Sequence, residues 1–363
     1  MLVALKNNKP AINRTIIDSN LIQQSLIEVY VFLKALLRGQ LKKKQVRHGY
    51  VLLCALLIPF LTACEARLDL QGIDETLSEP IRRTDQLMSI QELTDGSQLI
   101  VGNNGLLLTR DNGQADWHRD QLTSDGIFPN FIGSSICPDG TVILLAYENQ
   151  VWLSNDIKSD WRSIALPTSE EVQAITCTPS GDIWVTGSFT TLLVSRDKAR
   201  TWSETTMDED SMLTAINFVS ANTGFAVGEF GLVLKTQDGG DSWDYLDPVS
   251  EDFYPLSAHF YDDQTGWLGS LQGVIMHTSD GGTSWQRQTV ASDVPIYNFI
   301  KNDSLYATGD RGTVLKLDGS EWVRVPTPDI PTYYRSGIVT KDDSLLIAGG
   351  WGVLLPLDLS GQN

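Results

Sequence analysis

The octet "TQDGGDSW", Thr236 to Trp243, returns as "TSDGGTSW", Thr278 to Trp285, 42 residues further along a chain of 363 residues. Outward from these copies the same Asp and Trp recur with similar flanks, as Asp111 and Trp117, Asp156 and Trp161, Asp197 and Trp202, and Asp318 and Trp322. Consecutive Asp residues lie 45, 41, 41, 42 and 38 positions apart, and Asp358 closes a further interval of 40. Before each Asp stands an apolar run opened by a turn, as in "VGNNGLLLTRD", "VGEFGLVLKTQD" and "AGGWGVLLPLD". A second turn signal ("TDGS", "PDGT", "PSGD", "DDQTG") sits at one fixed place in each interval. Each unit therefore reads as four short strands, the last beginning at Trp.

Four-stranded units repeating about every 40 residues predict an all-β chain, a seven-bladed β-propeller. The last unit stops five residues after Asp358, without a fourth strand. The segment "EARLDLQGIDETL", Glu65 to Leu77, is expected to supply that strand and close the ring, leaving no open edge. No helix of any length is expected beyond Cys64.

The octet itself reads as a staple. Its Asp carboxylate can accept hydrogen bonds from its own turn, Gly240 or Gly282 can take positive φ, and Trp can pack between neighbouring units. Five Asp residues, Asp111, Asp156, Asp197, Asp238 and Asp280, form the structural set with Trp117, Trp161, Trp202, Trp243 and Trp285. Only the fourth and fifth copies are complete: Lys158 and Ala199 replace a Gly, and one extra residue precedes Trp117. The motif resembles the Asp-box, or BNR repeat, which also occurs in sialidases.

Near the start, "KKKQVRHGYVLLCALLIPFLTAC" joins a basic run to a short apolar core and small residues, the pattern of an export signal. Its ending, Leu61-Thr62-Ala63-Cys64, resembles the lipobox of bacterial lipoproteins. The resemblance implies a diacylated Cys64 at the mature N-terminus, anchoring the protein in a membrane. Residues 1–63 are accordingly read as an N-terminal extension and signal peptide, and 64–363 as the propeller. From Cys64 onward there are 18 Lys and Arg against 43 Asp and Glu, a net charge of −25, which excludes nucleic acid as a partner. In an oxidising compartment Cys137 and Cys177 either form a disulfide or stand as two isolated thiols.

Catalytic sets are lacking. A sialidase-like reading requires three arginines clamping a carboxylate, yet Arg110 and Arg196 sit beside Asp-boxes and Arg119, Arg162, Arg287 and Arg324 follow the Trp on outer strands. Only Arg82, Arg83, Arg311 and Arg335 can approach the axis. His118, His259 and His277 have no ligand spacing, so no metal or cofactor is expected, and the chain is read as a monomer and not an enzyme. Arg82, Arg83 and Arg335 are the candidate partner-binding residues: ring closure would bring them to one rim, where other units carry Glu170-Glu171, Glu209-Asp210 and Glu251-Asp252.

Residues 65 to 363, with the lipoprotein leader and units such as "TGFAVGEFGLVLKTQDGGDSW", resemble the photosystem II assembly and stability factors of the Ycf48/Hcf136 type. That resemblance implies a non-catalytic scaffold on the periplasmic or lumenal face, binding a membrane protein or membrane complex as its client. Two alternatives are a glycan-binding or sialidase-like propeller, with Trp351 and Tyr333-Tyr334 on one rim, and a purely structural envelope lipoprotein.

Overall fold

A computed structural model describes residues 34, 78–341 and 343–359. The proposed closing segment, Glu65 to Leu77, and Cys64 lie outside the described residues. Apart from Lys34 and Ser78, which are helical, and two 3-10 turns, the described residues form strands, turns and connections. Strands group into antiparallel meanders. The first comprises Leu87–Glu92, Gln98–Gly102, Leu106–Arg110 and His118–Gln121, paired in sequence order. Five more four-stranded meanders span 131–165, 172–205, 213–245, 255–290 and 296–324, and a three-stranded one spans 334–358.

Position within a meander decides composition. Second strands such as Val142–Ala146 and Ile183–Gly187 are buried along their whole length and read as unbroken apolar runs ("VILLA", "IWVTG"). A strand covered on both faces cannot alternate. Fourth strands such as Ser203–Thr205 and Gln286–Val290 are largely exposed and polar. First strands contact one another in cyclic order, and Tyr334–Val339 of the last meander contacts Leu87–Glu92 of the first.

No meander has a core of its own. Trp184 and Leu192 of the third pack with Leu213, Phe218, Leu234 and Trp243 of the fourth, and Leu346 and Ala348 of the last pack with Leu87, Ile100 and Leu108 of the first. Trp117, Trp161, Trp202, Trp243 and Trp285 each join such a shared cluster. Trp243 meets Trp184 edge-on at 5.6 Å and Phe218 at 5.9 Å. Between meanders five and six, Gln288 Oε1 accepts from both Trp267 Nε1 (3.1 Å) and Trp322 Nε1 (2.7 Å), and the outer strands pair in parallel. The cysteine alternatives resolve in favour of a Cys137–Cys177 disulfide, which ties the ends of the first strands of meanders two and three.

The complete octets act as the staple that the sequence suggests. Asp238 Oδ1 accepts from Ser242 N (2.9 Å) and Thr236 Oγ1 (2.8 Å), its Oδ2 accepts from Ser242 Oγ (2.6 Å), and Gly240 N donates to Thr236 Oγ1 at 2.8 Å. Asp280 repeats this with Ser284 and Thr278 at the same distances. Gly240 and Gly282 have φ of 85° and 87°. The third copy keeps the bonds with Ser195 and Thr201, holding Lys198 and Ala199 at φ near 60°. The Asp156 carboxylate accepts from Lys158 N and Ser159 Oγ, fewer bonds than in the complete copies. Asp111 departs from the pattern: its longer turn offers no Ser or Thr in register, and its carboxylate pairs with Lys158 Nζ at 2.6 Å.

Two outcomes are expected. Trp243→Ala should cost about 3–5 kcal/mol by denaturant titration, with the transition still single, because the lost contacts belong to two meanders at once. Donated hydrogen bonds, first the Ser or Thr hydroxyl and then the backbone N–H, hold the carboxyls of Asp197, Asp238 and Asp280 down at about 2. These bonds favour the ionised form in the folded state, so their stabilisation is fully present above the unfolded carboxyl range, roughly pH 4. It is lost as pH falls from there toward about 2. Melting temperature followed over that window should drop less steeply for the triple Asn variant of these residues than for the wild type.

Candidate functional site

The register of the first strands sets one tier of side chains. Each first strand carries a β-bulge at its second residue, between Leu87 and Ser89, Phe131 and Gly133, Leu213 and Ala215, and so on to Tyr334 and Ser336. A bulge re-aims the extra residue out of the sheet face. The first strands form the inner cycle, so the bulged residues Met88, Ile132, Gln173, Thr214, Leu256, Tyr297 and Arg335 are directed to the space it encloses. Arg335 is the single ionisable cation of that tier.

Its surroundings are aromatic. The Arg335 guanidinium lies over the Tyr297 ring, 5.3 Å from the centroid, and Tyr297 meets Tyr333 edge-on at 6.2 Å. Protein atoms surround Arg335 on almost every side, yet part of its surface stays open to solvent. Burial lowers the guanidinium pKa, and Tyr297 and Tyr333 oppose the shift. Among the described residues Arg335 has no hydrogen bond and no carboxylate within ion-pair distance.

Arg82 and Arg83 belong to the lead-in to the first strand. Asp85, buried there, accepts from Arg82 N (2.7 Å) and takes a two-pronged bond from Arg119 (2.7 and 3.0 Å). Arg119, which the sequence places simply on an outer strand, is thus the clamp of this segment. Gly352 N donates to Asp85 O at 2.8 Å, and a Cβ on Gly352 would collide with the Arg82 carbonyl oxygen. Tyr333 donates to Gln86 Oε1, and Ile90 N to Ser336 Oγ. Closure therefore brings the Arg82 backbone beside the last meander as the sequence anticipates. Arg83 is exposed, whereas Arg82 and Arg335 are both half-buried.

The same end of the molecule carries a feature that sequence reasoning missed. Tyr334 pairs with Gly349, so the start of each first strand lies at the end where second and third strands turn. At those turns Asn104-Gly105, Phe189-Thr190, Phe230-Gly231, Arg311-Gly312 and Trp351-Gly352 all have two successive positive φ values. Such type I′ geometry favours Asn-Gly, the pair found in meander one. Phe189, Phe230 and Trp351 hold it instead at φ of 51°, 60° and 58°, with 52%, 62% and 47% of their surface exposed. Each bulky residue in this region costs roughly 1–2 kcal/mol, and much of each side chain is left exposed. Strand alternation would have marked the turn as a turn but not the side chain as free.

The glycan-type rim loses one member: Tyr334 is fully buried in the cluster between meanders six and seven, whereas Tyr333 is half-buried. Of the acids expected opposite the arginines, Glu170 accepts from Ser188 Oγ at 2.7 Å and Asp252 from Ser250 Oγ at 2.8 Å. Glu229, not singled out from sequence, accepts from Tyr254 OH at 2.7 Å, and burial, aided by Glu229, raises that phenol to about 12.

Comparison with known proteins bears on this arrangement. The family model described as photosynthesis system II assembly factor YCF48 matches residues 153–251 and 199–297, the stretch holding the best-formed octets. The photosystem II assembly lipoprotein Ycf48 of Synechocystis sp. is 31% identical over 155 residues, covering 40% of this chain and 44% of that protein. The matched stretch thus spans less than half the length of that curated relative. Among solved structures, YCF48 bound to a D1 peptide superposes with a TM-score of 0.63 at 16% identity, over 78% of this chain and 94% of that one. A Staphylococcus aureus virginiamycin B lyase reaches 0.65 at 14% identity over 75% and 94%, a likeness of propeller fold alone. Sequence matches to Ycf48 concentrate in the octet-bearing repeats and support a Ycf48-like family, while the solved structures, at 16% and 14% identity, show the propeller fold alone.

Proposed function

We propose that this protein is a non-catalytic assembly factor of the photosystem II type, an exported lipoprotein whose propeller docks a membrane-protein client. The observation that carries the reading is the set of exposed aromatic residues, Phe189, Phe230 and Trp351, strained into matching turns on one end of the molecule. Strain without packing gain is retained where a partner supplies the missing contact. The solved YCF48 with a D1 peptide supports a client of that class. Arg82, Arg83 and Arg335, on the same end, are the proposed cationic contacts, in a chain whose net charge would otherwise repel an acidic segment. Non-catalytic action accords with the chemistry of the repeat carboxylates: Asp197, Asp238 and Asp280, held ionised to about pH 2, cannot serve as proton donors at neutral pH.

In this reading the meanders are seven blades, and residues 65–77 complete the last one. Cys64, directly before that segment, carries the lipid, and the client-binding end faces the periplasmic or lumenal side of the membrane.

A fluorescently labelled D1 peptide tests the docking face. Replacing Phe189, Phe230 and Trp351 together by Asn, which type I′ turns prefer, should leave melting unchanged or raise it while weakening peptide binding at least fivefold in anisotropy titrations. Equal affinity of wild type and variant would remove the aromatic residues from the reading. For the leader, Cys64→Ser should release the protein from the detergent phase without altering the domain's melting, whereas deletion of Glu65 to Leu77 should lower that melting. A deleted protein that melts as before would argue against closure by this segment.

A further inference from the structure

One seam of the ring is closed by different chemistry from the two that follow it. In meanders four and five the last residue of the first strand is Phe218 or Phe260. Each ring reaches back to the second strand of the preceding meander: Phe218 stacks on Trp184 at 5.6 Å and Phe260 on Phe225 at 3.7 Å. Each also meets the octet Trp of its own meander, Trp243 or Trp285. In meander three the same strand position holds Cys177, and the place matching Trp184 and Phe225 is taken in meander two by Ile143. No ring pair can form there. Cys177 instead reaches back to Cys137 as a disulfide, and both cysteines share one cluster with Ile143 and the octet Trp202. The covalent bond thus stands where the next two seams place stacked rings.

This bond is within reach of a small reagent. Cys137 lines a cavity of about 280 Å³ between the two meanders, whose wall includes the exposed residues Asp139, Ser180 and Lys198. Two further contacts cross the seam here: Lys198 Nζ pairs with Asp139 Oδ2 at 2.6 Å, and Cys177 N donates to Ser135 Oγ at 3.0 Å. An exposed ion pair adds little, so at this end the seam depends on the sulfur–sulfur bond. We propose that the seam between meanders two and three is a redox switch, locked when Cys137 and Cys177 are oxidised and open at the octet end when both are reduced, while the seams held by side-chain packing stay shut. The reductant is a dithiol. Its thiolate attacks the Cys137 sulfur to give a mixed disulfide, and Cys177 leaves as a thiolate that takes up a proton. The second thiol of the reductant then attacks its own mixed sulfur, closes the reductant's disulfide and releases Cys137 as a thiol. Run in reverse with an oxidising disulfide, the same exchange locks the seam, so a folded chain is locked only once it has met an oxidising compartment. The switch is independent of the docking reading and stands whether or not that reading holds.

Hydrogen exchange followed by mass spectrometry on the full-length protein tests it. Oxidised protein is compared with protein held in dithiothreitol under native conditions, with alkylation and peptide mapping to show that the Cys137 and Cys177 thiols are free. In the reduced protein, exchange in Phe131–Ile136, Val142–Ala146 and Val172–Cys177 should accelerate by at least about tenfold, while Pro255–Phe260 and Ile296–Lys301 keep their rates. Melting temperature should fall by about 5–10 °C, and oxidised glutathione added after removal of dithiothreitol should restore both readouts. Cys137→Ala combined with Cys177→Ala should exchange fast at this seam with or without dithiothreitol. The dithiothreitol comparison uses the wild-type chain and reads the switch whether or not that variant folds. A bond that resists dithiothreitol until the whole domain unfolds would overturn the switch. So would free thiols with unchanged exchange at the seam, or exchange that rises equally in every meander.

Discussion

Every apolar cluster in this fold is owned by two meanders, and that sharing governs the rest. A four-stranded sheet whose second strand is buried on both faces cannot be stable alone, since each face needs a neighbour. The first and last meanders meet the same requirement through Leu87, Ile100, Leu346 and Ala348, so the chain of dependence becomes a cycle. The octet is the local device that serves it. By tying the turn to Asp238, it delivers Trp243 to the seam with Trp184.

The seam also explains why the octet varies. A Cβ at Gly240 would collide with the Trp184 ring, so glycine there answers both to positive φ and to a bulky neighbour. At Gly282 the facing atom is the flexible Leu246 Cδ1, at 2.9 Å. At the matching place in meander three stands Ala199, fully buried in a cluster with Ile143 and Leu153 of meander two, where a methyl group finds room. Its hydrogen bonds to the turn persist, and only the backbone strain of a non-glycine residue is added. Departure from the consensus therefore reports the size of the neighbour across the seam and not a loss of the staple.

Period, strand order and the roles of Asp and Trp were legible in the sequence because each depends on residues within one or two repeats. What could not be read depends on offsets between repeats. The bulge that turns Arg335 toward Tyr297 is a one-residue shift, and period-two alternation cannot tell which of Tyr333 and Tyr334 faces inward until that shift is known. The Gln86–Tyr333 bond likewise joins residues that only closure makes neighbours, 247 positions apart. Cysteine spacing left Cys137 and Cys177 undecided, since pairing required knowing that both end first strands of adjacent meanders. The arginine group was read as a single rim from repeat position alone, which does not fix exposure: Arg83 is exposed, and Arg82 and Arg335 are half-buried.

The two ends of the molecule are in different electrostatic conditions, and the difference bears on where a partner can add free energy. At the octet end, carboxylates are saturated by hydroxyl and backbone donors, and cations such as Lys158, Arg196 and Lys198 are matched to Asp111, Asp241 and Asp139 at 2.6 to 2.8 Å. A ligand there would have to break existing bonds before making its own. At the opposite end the free protein holds the bulky side chains of Phe189, Phe230 and Trp351 at positive φ with much of their surface exposed. Covering those exposed rings would bury apolar surface without first breaking a side-chain hydrogen bond or ion pair. The closed cycle of shared clusters holds those side chains in fixed relation to one another.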